Sequence, residues 1–394
     1  MIVLSTRFEA IKAAPIIDRL RQQTFNFDVI IVTTFHSQED PAHALALFHL
    51  HPDIVLDFSR SRQGLPHLTS QTLESMTVTL QQIQPDIVLV QGDSVVAFGA
   101  ALAAFYQNIP VAYLSEDKNT DNPDSPSTEE TNRRLTMVMA QLHFAATRQT
   151  RHFLLSEGVS GHKIILTGNP RMEALLKLSD LPFSFSNGEL QRAVQSGRRF
   201  VLFATRHLVP WGAELQSICR AALELIRIFG DVDVVYLGDS DPITRERMTG
   251  MMGGKKQIFV IDSPDDMTYV NLLAQSYMIL TDSGDVHEDA SVFQKPVLML
   301  GDGARHMKSS THKVSIKSVV FDPEVIVQET GYFLKNEKAC RKMIETENPY
   351  SDGNAAERIA IALNRWSKGK QPVLTPREEF TPGNALFDLL CQNL

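Results

Sequence analysis

The sequence predicts an α/β protein built from two doubly wound domains, each with a parallel sheet. Three observations carry this. Near-continuous apolar runs of strand length alternate with helical segments, the signature of strands buried on both faces. The alternation stops near residue 168 and then starts again. The chain has 394 residues, more than one typical core supports.

The first series opens with Met1-Ile2-Val3-Leu4, an apolar run without a preceding basic region, expected to be a core strand and not a signal peptide. Asp28 to Thr33, Asp86 to Val90, Ile109 to Leu114, Leu142 to Ala146 and Ile164 to Leu166 continue it. The second series is Phe200 to Ala204, Val232 to Leu237, Ile258 to Ile261, Met278 to Thr281 and Pro296 to Leu300. Two such series predict Rossmann-like domains facing each other across a cleft. The expected division is 1–170 and 171–366, with about 367–394 returning to the first domain. Asn348 to Gly353 is a loop signal ahead of an amphipathic helix, Ala355 to Trp366. Ser367 to Pro382 reads as an extended surface strap, and Ala385 to Leu390 as a short terminal helix.

Composition bounds the function. Hydrophobic content of 43% and charged content of 21% are ordinary for a globular protein. A net charge of -8 and the lack of a long Lys/Arg run disfavour nucleic acid as a partner. No run approaches the roughly 20 apolar residues that span a bilayer. Cys219, Cys340 and Cys391 are far apart and match no metal spacing, so reduced thiols in the cytoplasm are expected, with no metal or cofactor.

Six segments carry chemistry. Ser5-Thr6-Arg7 joins the first strand to a helix, where free N–H groups and the cations Arg7 and Lys12 suit an anion. Thr281-Asp282-Ser283-Gly284 repeats that pattern. Ser283 and Gly284 either cradle a diphosphate or form a plain turn with Asp282 or Ser283 as N-cap. Asp93 follows the strand ending at Val90, as a general acid/base or as an N-cap. Ser125 to Arg133 is a helix start with an early acidic pair; Glu129 and Arg133 are either site groups or a surface i, i+4 pair. Ser115-Glu116 and Arg206-His207 close two further strands.

These segments together resemble the non-hydrolysing UDP-N-acetylglucosamine 2-epimerases, from about residue 2 to 366. Ser5 to Lys12 is similar to that family's G-T-R-P-E-A-I-K, Gln91 to Ser94 to H-G-D-T, and Ser125 to Arg133 to S-P-W-P-E-E-A-N-R. Thr281 to Asp289 is similar to T-D-S-G-G-x-Q-E-E, and Asn348 to Gly353 to N-P-Y-G-D-G. The resemblance implies the glycosyltransferase-B-like arrangement, a homodimer and a UDP-linked amino sugar as substrate, for precursors of surface polysaccharide or glycoconjugates. It implies removal of the C2 proton with loss of UDP, then re-addition. By resemblance Arg7, Lys12, Tyr269, Ser283, Gly284 and Asp289 bind the nucleotide sugar. Asp93, Glu129 and Arg133 act at the sugar.

Four positions depart from the family pattern. Ser115 stands at the catalytic glutamate, with Glu116 one place on. Arg206 stands at the catalytic histidine, with His207 beside it. Arg stays protonated and suits a phosphate clamp better than a base. His306 stands at an arginine, next to Arg305, and Ser5 stands at a glycine. Glu116 and His207 are therefore expected as displaced acid/base helpers, and His36, Arg206 and His306 as substrate contacts. A hydrolysing epimerase or glycosyltransferase of this fold, or a binding protein without turnover, are the rival expectations.

Overall fold

The structure is a computed structural model that describes residues 1–22, 27–35, 40–58, 64–115, 127–206, 212–238, 242–252, 254–262, 264–301, 316–344 and 348–382. The chain divides into two compact units, Met1–Ala174 with Tyr350–Leu394, and Leu175–Pro349.

The first unit holds β1 (Ile2–Leu4), β2 (Ile31–Phe35), β3 (Ile54–Asp57), β4 (Val88–Gln91), β5 (Val111–Ser115), β6 (Leu142–Ala145) and β7 (Ile164–Leu166). They form one parallel sheet in the order β3-β2-β1-β4-β5-β6-β7. Its inner strands are apolar on both faces because helices cover both. One cover is the helix Val95–Tyr106, whose buried face is nearly all alanine (Ala97, Ala100, Ala101, Ala103 and Ala104). Small side chains let it lie close to the sheet and to the helix Leu65–Ile83. At Gly99 a Cβ would stand 2.8 Å from Thr72 Cγ2, so only glycine fits that crossing.

The C-terminal segment differs from the expected division. The chain rejoins the first unit at Tyr350, and the helix Ala355–Ser367 packs on the helix Arg7–Leu20. The reason is electrostatic and long-range. Asn354 makes no side-chain cap, and Glu173 accepts instead from the N–H groups of Ala355 (2.5 Å) and Ala356 (3.1 Å). Arg358 pairs with Asp352 and donates to the Thr167 carbonyl at 3.1 Å. The strap beyond Ser367 is held by Arg365 on both carboxylate oxygens of Glu378 (2.8 Å each) and by the Phe380 N–H on Leu166 O (2.9 Å). The expected helix Ala385 to Leu390 lies outside the described residues. The other crossing falls inside the helix Pro170–Ser179, not in a loop.

The second unit holds β8 (Arg199–Ala204), β9 (Val232–Gly238), β10 (Ile258–Asp262), β11 (Met278–Thr281), β12 (Val297–Leu300) and β13 (Ile316–Val319). All are parallel, in the order β10-β9-β8-β11-β12-β13. Separate apolar clusters cover its two faces, one around Phe203, Tyr236 and Leu280, the other around Leu202, Val235 and Ile279. The fold is thus α/β with two Rossmann-like parallel sheets, the glycosyltransferase-B-like class. No described helix is long and apolar enough to cross a membrane.

Candidate active site

In each sheet the strand order reverses once, between β1 and β4 and between β8 and β11. Chain leaving the C-terminal ends of those strands diverges, and ligands of open α/β sheets bind there.

At the first reversal, Thr6 caps the helix Arg7–Leu20 by accepting from Glu9 N, and Glu9 folds back onto the chain before the helix. The Glu9 carboxylate accepts from the Ser5 and Thr6 N–H groups and from Ser5 Oγ at 2.9 Å. This capping box uses groups that the sequence reading offers to an anion. Arg7 is half-buried on that first turn, and Lys12 is buried on the same helix. Ser5 Oγ, whose proton goes to Glu9, also lies 3.1 Å from Ser94 Oγ, a hydrogen-bond contact that ties the turn after β1 to the turn after β4.

In that second turn Ser94, not Asp93, caps the helix Val95–Tyr106, accepting from Ala97 N at 3.0 Å. The N-cap reading of Asp93 is therefore set aside. Asp93 is half-buried at the tip. Beside it β4 ends on Gln91, buried, with Nε2 unpartnered among the described residues. β5 ends on Ser115, also buried with its Oγ unpartnered among them.

The helix Thr128–Met139 follows its N-cap Ser127, which accepts from Glu130 N at 3.1 Å. Arg133 is buried and pairs with Glu130, not with Glu129, and its guanidinium lies 4.4 Å over the Phe153 ring. The surface i, i+4 pair is thus corrected to a buried i, i+3 pair. Burial works against the Glu130 charge, but hydrogen bonds from Arg133 and Arg134 outweigh it and hold the carboxyl below its ordinary range. Glu129 is exposed in the first turn of that helix.

At the second reversal the Arg206 N–H donates to the Asp282 carboxylate at 2.8 Å, joining the ends of β8 and β11. Arg206 itself is exposed. Ser283 occupies the N-cap position of the helix Gly284–Val292, but its side chain makes no cap hydrogen bond. Its own N–H is held by Thr281 Oγ1 at 3.0 Å. The Ser283 hydroxyl therefore does not take the donors of that helix start. One turn on, the buried carboxylate of Asp289 accepts from Tyr269 Oη at 2.9 Å, so these two expected residues meet. His287, between them, is buried, and burial pulls its pKa down to about 4. It is neutral near pH 7.

His36, Glu116, His207 and His306 lie outside the described residues. Tyr113, Asn132 and Glu130 are neighbours of the expected residues that the sequence reading missed. The first two act through backbone carbonyls, which leave no sequence signal. Among the described residues no group of three or more His, Cys, Asp or Glu could hold a metal ion.

The model of the UDP-N-acetylglucosamine 2-epimerase family matches residues 18–364. The UDP-N-acetylglucosamine 2-epimerase of Escherichia coli (strain K12) is 33% identical over 366 residues, covering 92% of this chain and 97% of that protein. A crystal structure of a UDP-N-acetylglucosamine 2-epimerase superposes with a TM-score of 0.85 at 32% identity, over 97% of this chain and 98% of the other. The enzyme of Neisseria meningitidis, solved bound to UDP-N-acetylglucosamine, gives a TM-score of 0.76 at 29% identity, over 92% and 98%. With a family model over most of the chain and a likeness spanning both units, the chain belongs to the UDP-N-acetylglucosamine 2-epimerase family.

Proposed function

We propose that this chain interconverts a UDP-linked N-acetylhexosamine and its C2 epimer. The C2–H bond and the C1–oxygen bond to UDP break, giving a glycal-like intermediate. UDP then re-adds at C1 and a proton returns to C2 on the other face. A base must take the C2 proton, an acid must return it, and the leaving diphosphate needs a clamp.

The observation that carries this reading is the start of the helix Gly284–Val292, which the Ser283 side chain does not cap, beside the paired Tyr269 and Asp289. Ser283 and Gly284 meet the diphosphate there, with Arg206 near it as a fixed cation. Asp289 holds the ribose hydroxyls, oriented by Tyr269. In the first unit Asp93 is the acid/base group, and Arg133 with Glu129 orients the sugar. Arg7 and Lys12 add positive charge. Glu116, His207, His36 and His306 complete the proposed set.

Two further properties belong to the same proposal. The helices Leu65–Ile83, Val95–Tyr106 and Thr128–Met139 pack on one another and expose Val78, Phe105, Tyr106, Leu135 and Val138, which supports pairing with a second copy. The free, buried thiols of Cys219 and Cys340 support a place in the reducing cytoplasm.

Incubation with UDP-N-acetylglucosamine in D2O tests the reaction. Deuterium at C2 together with the C2 epimer is expected. Free UDP accumulating without C2 deuterium would favour hydrolysis or transfer, and binding without either would favour a protein that does not turn over.

A further inference from the structure

Three side chains converge on the turn Gly92-Asp93-Ser94. Tyr113 Oη donates to the Gly92 carbonyl at 2.8 Å. Asn132 Nδ2 donates to the Asp93 carbonyl at 3.3 Å. Ser5 Oγ meets Ser94 Oγ at 3.1 Å. These groups come from β5, the helix Thr128–Met139 and the turn after β1, so three separate elements fix three consecutive residues. Gly92 has φ of +75°, a conformation glycine enters and leaves freely, so the turn depends on these hydrogen bonds to hold it.

The supports are themselves rigid. Tyr113 is buried, and its strand pairs with Val90 on one side and His143 on the other. The His143 ring stands edge-on to the Tyr113 ring, centroids 6.2 Å apart at 89°. Burial keeps His143 neutral, with its pKa pulled down to about 4. Asn132 is buried next to Arg133, whose pairing with Glu130 locks that helix turn. A hydroxyl on a buried ring in a central strand moves little. Such a donor fixes a carbonyl better than a mobile surface group does.

We propose that Tyr113 and Asn132 are positioning residues for Asp93, holding the carbonyls of Gly92 and Asp93 so that the Asp93 carboxylate meets the sugar in one orientation. This rests on the reading of Asp93 as an acid/base group. Proton transfer to or from carbon is steep in distance, and a displacement of about 1 Å can cost on the order of 10²-fold. Loss of one of two pins should cost less, because the other remains.

The test uses C2 exchange in D2O by the full-length protein, with kcat and KM measured for Tyr113→Phe, Asn132→Ala, Asp93→Asn and the two double variants with Asp93→Asn. Tyr113→Phe keeps the ring and its packing. Asn132→Ala is the second, independent probe, and thermal melting confirms that each is folded. Each single variant should lose roughly tenfold in kcat, with KM changed less than about twofold. In the Asp93→Asn background neither should cause further loss, because a group acting only through Asp93 has nothing left to position. A tenfold loss that persists in the Asp93→Asn background would overturn the proposal, as would unchanged kcat in both single variants. If Asp93→Asn itself exchanges C2 at the normal rate, the acid/base reading fails and takes the proposal with it. If Asp93→Asn is inactive and the single variants are normal, only the positioning role fails.

Discussion

The two sheets share one strand order, apart from the extra edge strand β7 of the first, and reverse at the same place, yet their helix starts are built differently. At the first, Thr6 and Glu9 close a capping box and consume the local donors. At the second, Ser283 leaves the start of the helix Gly284–Val292 without a side-chain cap. A strand-turn-helix unit is an anion site only where its own side chains do not already satisfy it. On this account the second unit grips the nucleotide diphosphate. The first unit holds a stiff turn bearing Asp93, with Arg7 and Lys12 contributing charge more than free backbone donors.

The largest expected effect tests the first unit. Asp93→Asn should lower turnover by about 10²-fold or more while UDP affinity stays near that of the wild type. Steady-state kinetics beside calorimetric titration with UDP would separate the two. Next comes the second unit. Ser283→Ala should weaken UDP binding roughly tenfold, about 1.4 kcal/mol, through loss of one hydrogen bond to an anion. Its mirror, Thr6→Ala, should leave UDP affinity unmoved and cost about 1 kcal/mol of stability, seen as a lower urea midpoint. Equal effects of the two on UDP affinity would erase the distinction between the helix starts.

The last effect concerns stability alone. Burial raises the Glu173 carboxyl from the ordinary 4.5 to about 8, despite the N–H groups of Ala355 and Ala356 and with Asp352 adding to the rise. The folded protein then holds a proton that the unfolded chain has released. That contribution is complete below about 4.5 and is lost as pH rises to about 8. Glu173→Gln, which stays neutral throughout, should flatten the fall in urea midpoint between pH 5 and pH 8.

Much of the architecture is legible in the sequence because inner parallel strands are apolar on both faces. β3 and β13 escaped notice because they are edge strands. Ile54 and Leu56 are half-buried beside exposed Val55 and Asp57, and β13 carries Lys317 and Ser318. Neither gives a continuous apolar run. The helix Ala355–Ser367 was legible as a helix, but its partner was not. Glu173, Arg19 and Thr167 bind it from far away in the chain, and amphipathicity names a buried face without naming what covers it.

The site shows the same limit at closer range. Thr6-x-x-Glu9 is a capping-box spacing, and that signal was present beside the anion reading. Glu130, Arg133 and Met137 share the buried face of their helix, at i, i+3 and i+7, and an i, i+3 partner is as accessible to Arg133 as the i, i+4 one that the sequence suggested. Tyr113 and Asn132 left no trace because they bind main-chain carbonyls, whose positions depend on the folded turn.

One paired measurement bears most directly on the division between the units: UDP affinity and C2 deuterium exchange, determined together for Asp93→Asn and Ser283→Ala. The account predicts that Asp93→Asn binds UDP normally and exchanges at least about 10²-fold more slowly. It predicts that Ser283→Ala binds UDP about tenfold more weakly and still exchanges C2 when the nucleotide sugar is saturating. Weakened UDP binding in Asp93→Asn together with unchanged binding in Ser283→Ala would contradict it.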